Sequence, residues 1–233
     1  MLKSLNPPPV PFYPGDLDLK AQACAARAEL YPVTLFYAPW IALALGHALW
    51  SQETRLPGGL FFALGILLWT LVEYLVHRYV LHPPFPDGRE PMRHALHALF
   101  DNLHWEHHER PWDGKHLSGS VSQTLPVFVV LSLLSLLTPL HAGPVLLAGL
   151  ALGYITEEWV HYSIHFERLR GSYPGWTRRN HLRHHASPSA EGLGFGITTG
   201  LWDFVWGTRF PSAKRSRGEA GEGPDPQADR QGP

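Results

Sequence analysis

Apolar residues along the chain gather into four long runs, at about residues 31 to 50, 58 to 76, 121 to 140 and 143 to 162, separated by polar segments rich in His, Arg, Glu and Pro. None carries the regular polar face of a soluble amphipathic helix, so each is predicted as a helix with apolar surroundings on all sides. The second run, GGLFFALGILLWTLVEYLV, would extend ~28 Å at a rise of ~1.5 Å per residue, close to the ~30 Å of a bilayer's hydrocarbon core. TLPVFVVLSLLSLLTPL is equally apolar, and Pro126 stands near its start, where a missing N–H is tolerated. Pro32, Pro39 and His47 make the first run the weakest of the four. A soluble four-helix bundle would need polar faces that these runs lack. The predicted fold class is therefore all-α and integral to the membrane, with four transmembrane helices in two hairpins and a cytoplasmic helical cap.

Loop charges orient this arrangement. The connections SQETRLP and TPLHAGP contain only Arg55, whereas the N-terminus, residues 77 to 120 and residues 163 to 233 hold the other 18 Lys and Arg. Positive segments stay inside, which makes those three cytoplasmic, together with both termini, in a bacterial inner membrane or the endoplasmic reticulum. Residues 1 to 28 carry Asp, Lys and Pro and no continuous apolar stretch, so no cleavable signal is expected. The chain divides into a cytoplasmic segment, 1–30, a membrane domain, 31–210, and a tail, 211–233, whose Pro, Gly, Glu and Arg predict disorder. A net charge of −1 over 233 residues gives no global field of the kind nucleic-acid binders use. One cysteine, Cys24, excludes an internal disulfide and any thiolate-built metal site. Metal chemistry must then use histidine or carboxylate.

Fifteen histidines carry the chemical information. Four sets stand in order: His77 and His82; His104, His107 and His108; His161 and His165; His181, His184 and His185. Span, pair and His-x-x-His-His occur twice, so each half can face the other across one cytoplasmic site. Residues three and four apart share a helix face, which lets His104, His107 and His108 point one way, and likewise His181, His184 and His185. His77 and His82 are five apart, about 140° round an ideal helix, so the second helix is predicted to loosen before Pro83. Ten imidazoles exceed the about four to six ligands of one ion and suit two ions. Ligating imidazoles need partners for their second N–H, and Glu73, Glu106, Glu158 and Asp203 are the candidates. His47, His94, His97, His116 and His141 fall outside the four sets and are read as non-ligands.

EYLVHRYVLH, HWEHHERPWDG, GYITEEWVHYSIHF, GSY and HLRHH followed by GFGITTGLWDFVWGT resemble, in order, the fatty acid hydroxylase and sterol desaturase superfamily, and most closely its fatty acid 2-hydroxylases. The likeness covers roughly residues 58 to 208. It implies that His77, His82, His104, His108 and His184 hold one metal ion and His107, His161, His165, His181 and His185 the other. It implies also a lipid hydroxylase using O2, with carbon 2 of an acyl chain as the target. The ASPSAEGL stretch before the Gly-Phe-Gly motif is slightly longer than the family pattern and is placed to reshape the substrate mouth. Many relatives carry a fused cytochrome b5 domain; residues 1 to 30 are too short for one, so a separate cytochrome b5-like or ferredoxin-like carrier with its reductase is the expected donor.

Zinc has no redox chemistry, so iron is the expected working metal, although zinc can occupy such a site in isolated protein. Trp159, Tyr162, Trp176, Trp202 and Trp206 are candidates for a lipid entrance or for interfacial anchoring. The competing enzyme reading is a sterol or carotenoid hydroxylase or desaturase. The competing non-enzyme reading is a metal-binding or transport protein, which would place ionisable residues in mid-span rather than at span ends.

Overall fold

The structure is a computed structural model, and it describes residues 17–50, 55–82, 102–117, 119–135, 137, 142–186 and 192–211. All regular structure among them is helical: α1 (Leu19–Trp50), α2 (Arg55–Val76) continued by a π-helical turn (His77–Leu81), α3 (Asn102–Glu109), a 3-10 turn (Gly114–His116), α4 (Val121–Ser135), α5 (Ala142–Phe166), α6 (Ser172–Ala186) and α7 (Leu201–Val205). The loops SQETRLP and TPLHAGP in large part, His94, His97 and His141, residues 187–191 and the tail from 212 onward lie outside the described residues.

The first helix starts at Leu19, twelve residues before the predicted run. Asp18 caps it, accepting from the backbone N–H of Lys20 (3.0 Å) and Ala21 (3.2 Å). The early turns are polar on the outside but bury Ala26 and Leu30 against Leu117 and Tyr162, a tertiary contact that an apolar-run reading does not register. The helix runs on through Pro32 and Pro39.

Among the described residues, three helical stretches are long and apolar enough to cross a membrane: Leu19–Trp50, Pro57–Leu81 and Gly114–Ser135. Their outer faces expose Leu35, Leu43, Leu60, Leu67, Val130 and Leu133, among other large apolar residues. The remaining predicted span, α5, falls short on hydropathy because it is the buried centre of the molecule. It packs against α1, α2, α4 and α6, and its interior positions include Gly143, Gly149, Gly153, Glu158, His161 and His165. Small residues let α2 and α5 touch backbone to backbone: a Cβ on Gly65 would strike the Leu146 carbonyl and approach the Gly149 Cα to 2.9 Å, and one on Gly149 would strike the Phe62 carbonyl. The main apolar core, Val33, Tyr37, Ile41, Phe128, Ala148, Ala151, Tyr154 and Ile155, joins α1, α4 and α5.

The N-terminal end of α1 and the start of α4 meet the same end of this assembly as the last turns of α2 and α5. Gln22 Oε1 accepts from Gly114 N–H (2.9 Å), and Glu158 Oε1 from Gly119 N–H (3.3 Å). The histidines gather at this end.

Candidate metal centre

Each histidine set is delivered by a helix end or a short helix. The five-residue spacing of His77 and His82, awkward on an α-helix, is accommodated by the π-helical turn, whose i→i+5 hydrogen bonds bring residues five apart to one side. Their Nε2 atoms lie 3.2 Å apart. α5 supplies His161 and His165 one turn apart. The two His-x-x-His-His helices, α3 and α6, behave differently from the one-face expectation. In α3, His104 and His108 turn to one group and His107 to another; in α6, His181 and His185 turn to the second and His184 to the first. Each short helix thus straddles both groups, with opposite bias.

The result is two groups of five: His77, His82, His104, His108 and His184, and His107, His161, His165, His181 and His185. Within each, one ligand atom per residue lies within 4.8 Å of every other. These are the two sets of five that the resemblance implies. The groups adjoin, with the His108 and His185 ring centroids 4.3 Å apart.

The chemistry of the first group calls for a cation. His77 Nδ1 meets the Phe195 carbonyl at 2.5 Å and His184 Nδ1 the Leu193 carbonyl at 2.9 Å. A carbonyl only accepts, so both Nδ1 atoms carry the proton and both Nε2 atoms present lone pairs. These face His82 Nε2 at 3.2 and 2.8 Å, with His104 Nε2 a further 2.9 Å away. One proton on His82 cannot serve three neighbours. In the second group, His181 Nε2 lies 3.1 Å from His165 Nε2 and 2.9 Å from His185 Nε2. Both ring nitrogens of His107, His161 Nε2, and Nδ1 of His165, His181 and His185 are buried with no hydrogen-bond partner. Adjacent ligands at right angles around an ion with metal–nitrogen bonds of ~2.1 Å sit ~3.0 Å apart, the spacing observed here. The ten residues fit two bound metal ions.

Burial favours the ligating form. Desolvation first, and then neighbouring imidazoles, push His82 down to about 3 and His108 to about 2. Desolvation pushes His184 to about 4 against its bond to Leu193, and His104, His107, His181 and His185 fall well below the usual histidine value for the same leading reason.

The carboxylates act at one remove, which corrects the expectation for Glu73 and Asp203. Glu73 accepts from the backbone N–H of Ile197 (2.6 Å) and Thr198 (2.9 Å) and from the Thr198 hydroxyl. Asp203 accepts from the N–H of Phe195 and Gly196, both at 2.9 Å, and from Thr208 Oγ1 at 2.7 Å. They fix the strip whose carbonyls at 193 and 195 orient His184 and His77. Gly196 is required there, since a Cβ would run into the Thr199 carbonyl and come within 2.9 Å of Asp203 Oδ2. Glu106 instead pairs with His116 (2.9 Å) and Arg110 (3.5 Å) on the outer side of α3. His116 also meets Asp113 (2.9 Å) and stands outside both groups, as does the exposed His47.

Sequence reading missed the carbonyls of Leu193 and Phe195, and Trp112, whose ring packs edge-on against His165 at 5.4 Å. It missed also the stripe Thr70, Glu73, Tyr74 and His77 at spacing i, i+3, i+4, i+7, a polar face on an otherwise apolar helix. Trp159 and Trp202 are tied by their indole N–H to Thr34 (3.0 Å) and Thr70 (2.9 Å), and Tyr162 is buried.

Apolar helices around paired five-imidazole groups, each able to hold a metal ion, are the class of arrangement that the chain presents. The chain belongs to the fatty acid hydroxylase family, whose model matches residues 62–208. It is 36% identical over 169 residues to a fatty acid 2-hydroxylase of Macaca fascicularis, covering 71% of this chain and 43% of that protein. It is 34% identical over 183 residues to the dihydroceramide fatty acyl 2-hydroxylase FAH2 of Arabidopsis thaliana, covering 78% of this chain and 74% of that one. Among solved structures it is similar to full-length scs7p, of which only the hydroxylase domain is visible, with a TM-score of 0.64 and 27% identity over 78% of this chain and 67% of that chain. The chain spans less than half the length of its macaque relative.

Proposed function

We propose that the protein is a membrane lipid hydroxylase that inserts oxygen from O2 into a C–H bond, at carbon 2 of a fatty acyl chain that is free or part of a membrane lipid. The observation that carries this reading is the pair of five-histidine groups, each with one ring nitrogen per residue converging within 4.8 Å, and with buried nitrogens of His107, His108 and His161 left without a hydrogen-bond partner. Relatives bearing the names fatty acid 2-hydroxylase and dihydroceramide fatty acyl 2-hydroxylase support the choice of carbon and substrate class.

His77, His82, His104, His108 and His184 would hold one ion, and His107, His161, His165, His181 and His185 the other. Iron in these positions would supply the reductive activation of O2 that an unactivated C–H bond demands and that zinc does not offer. The protein's own part is to hold and orient. Burial keeps the imidazoles neutral, and the Leu193 and Phe195 carbonyls fix the tautomers of His184 and His77. Ile164, Leu182 and Trp112, packed beside the second group, exclude water. An external carrier and reductase supply the electrons. α5 serves as the fourth span, with α1–α2 and α4–α5 as two hairpins whose histidine-bearing end faces the cytoplasm at headgroup level, where carbons near a lipid's polar head are within reach.

The test has two arms. Elemental analysis of freshly purified, chelator-free protein should return two ions per chain, lost in His107→Ala and retained in His47→Ala. Lipid mass spectrometry of cells given carrier and reductase should then find 2-hydroxy acyl chains with the wild type and none with His107→Ala. Metal content near zero in the wild type refutes the centre, whereas a hydroxylated or desaturated sterol or carotenoid with unaltered acyl chains transfers the function within the superfamily.

A further inference from the structure

Four side chains on one face of α2 and the π-helical turn that continues it, Thr70, Glu73, Tyr74 and His77, each hold a piece of the chain between 195 and 208. Trp202 Nε1–H donates to Thr70 Oγ1 (2.9 Å), Glu73 accepts from Ile197 and Thr198, Tyr74 shares a hydrogen bond with Thr208 Oγ1 (2.9 Å), and His77 donates to Phe195. The clasp sets a depth. If a hydrocarbon core of ~30 Å takes about 20 helical residues from Pro57, it ends near His77. Thr70 is seven residues earlier, roughly 10 Å inside that boundary at ~1.5 Å per residue.

We propose that residues 192–208 form a re-entrant element, which dips back into the bilayer beside α2 and presents α7 to lipid acyl chains. The proposal rests on α2 being a membrane span.

Two further observations bear on it. Non-helical backbone survives at membrane depth only where its polar groups are satisfied by protein. Here the N–H groups of four consecutive residues, Phe195 to Thr198, end on the Asp203 and Glu73 carboxylates. The carbonyls of Leu193, Phe195, Gly196 and Thr198 accept from His184, His77, Asn180 and Tyr173. A loop in water has no need of two buried carboxylates to close it. The outward face of α7 and the residue that follows it is the reverse in character: Leu201, Phe204 and Val205 of the helix and Trp206 just after it are 44, 66, 56 and 41% exposed. A five-residue helix exposing three large apolar side chains, with a fourth directly after it, is poorly suited to water. Lipid is the occupant whose depth matches the Thr70 contact, and α2 exposes Leu60, Leu64 and Leu67 on its own outer face.

The experiment uses the full chain in lipid nanodiscs on a Cys24→Ser background, with nitroxide attached at single cysteines replacing Phe204, Val205, Leu64 or Arg168. Collision with O2, which concentrates in hydrocarbon, is compared with collision with a water-soluble nickel chelate. Phe204 and Val205 should give the high O2-to-nickel ratio of Leu64, and Arg168, exposed in the turn after α5, the low aqueous ratio. Val205 provides a second site should the change at Phe204 disturb folding. A ratio at both α7 positions like that of Arg168, or weak collision with both reagents because protein covers them, overturns the re-entrant element. An aqueous reading at Leu64 overturns the span itself, and the proposal with it.

Discussion

At the scale of single residues, burial decides protonation and protonation decides ligation. His82 and His184 hold values of about 3 and about 4 against an ordinary 6.5, chiefly because the charged ring loses its hydration. Their depressed values make acid the destabilising direction. Above pH 6.5 both states are neutral and stability does not respond; below it the unfolded chain takes up protons that the folded chain refuses, until about 4 and about 3 are reached. The thermal midpoint of chelator-treated protein should therefore be flat above pH 6.5 and fall steadily between 6.5 and about 4, as followed by circular dichroism in detergent. A midpoint unchanged across that interval would show that the rings are solvated. The ten histidines were legible because their spacing is a property of the side chains themselves. The carbonyls that orient two of them were not, since every residue has a carbonyl and only the fold selects Leu193 and Phe195. Glu73 and Asp203 stood out as acids, but their partners are backbone N–H groups, which leave no mark in a sequence.

At the scale of elements, apolar runs located helices well where lipid-like surroundings govern composition and poorly where packing does. α2 and α4 read directly. α1 was cut short because its first turns are buried by tertiary contact with Leu117 and Tyr162 rather than by apolarity. α5 was placed correctly as a helix, yet its composition reflects a protein interior: small residues for close approach, and Glu and His for the site. The α2–α5 crossing at Gly65 and Gly149 matters for chemistry because these two helices end in His77 and in His161 and His165. Gly149→Val would press a branched side chain onto the Phe62 carbonyl and the Gly65 Cα. Overpacking of this kind costs about 1–3 kcal/mol. The variant should unfold at lower temperature and bind fewer ions, whereas Gly46→Ala, where nothing lies within 4 Å of the added Cβ, should leave both unchanged. Equal behaviour of the two variants would mean that the crossing does not position the histidines.

At the scale of the whole molecule, one directional constraint follows from charge and contacts together. Of the 19 Lys and Arg, only Arg55 falls in the two connections SQETRLP and TPLHAGP. The contacts Gln22 to Gly114 and Glu158 to Gly119 bring the N-terminal turns of α1 and the approach to α4 to the end where α2 and α5 deliver their histidines. If that end is cytoplasmic, the positions just beyond Trp50 and just before α5 are extracytoplasmic, and both termini are inside. On a Cys24→Ser background, cysteines replacing Ser51 and Ala142 should react with a membrane-impermeant maleimide added outside intact cells, while those replacing Ser118 and Ser212 should react only after permeabilisation. Labelling at Ser118 from outside would place the 3-10 turn, and with it Trp112 and the second histidine group, on the far face. That result would break the two-hairpin arrangement. It would also carry the histidine groups to that far face, since the Gly114–Gln22 bond ties this turn to α1 and the Trp112–His165 contact ties the segment before it to the second histidine group.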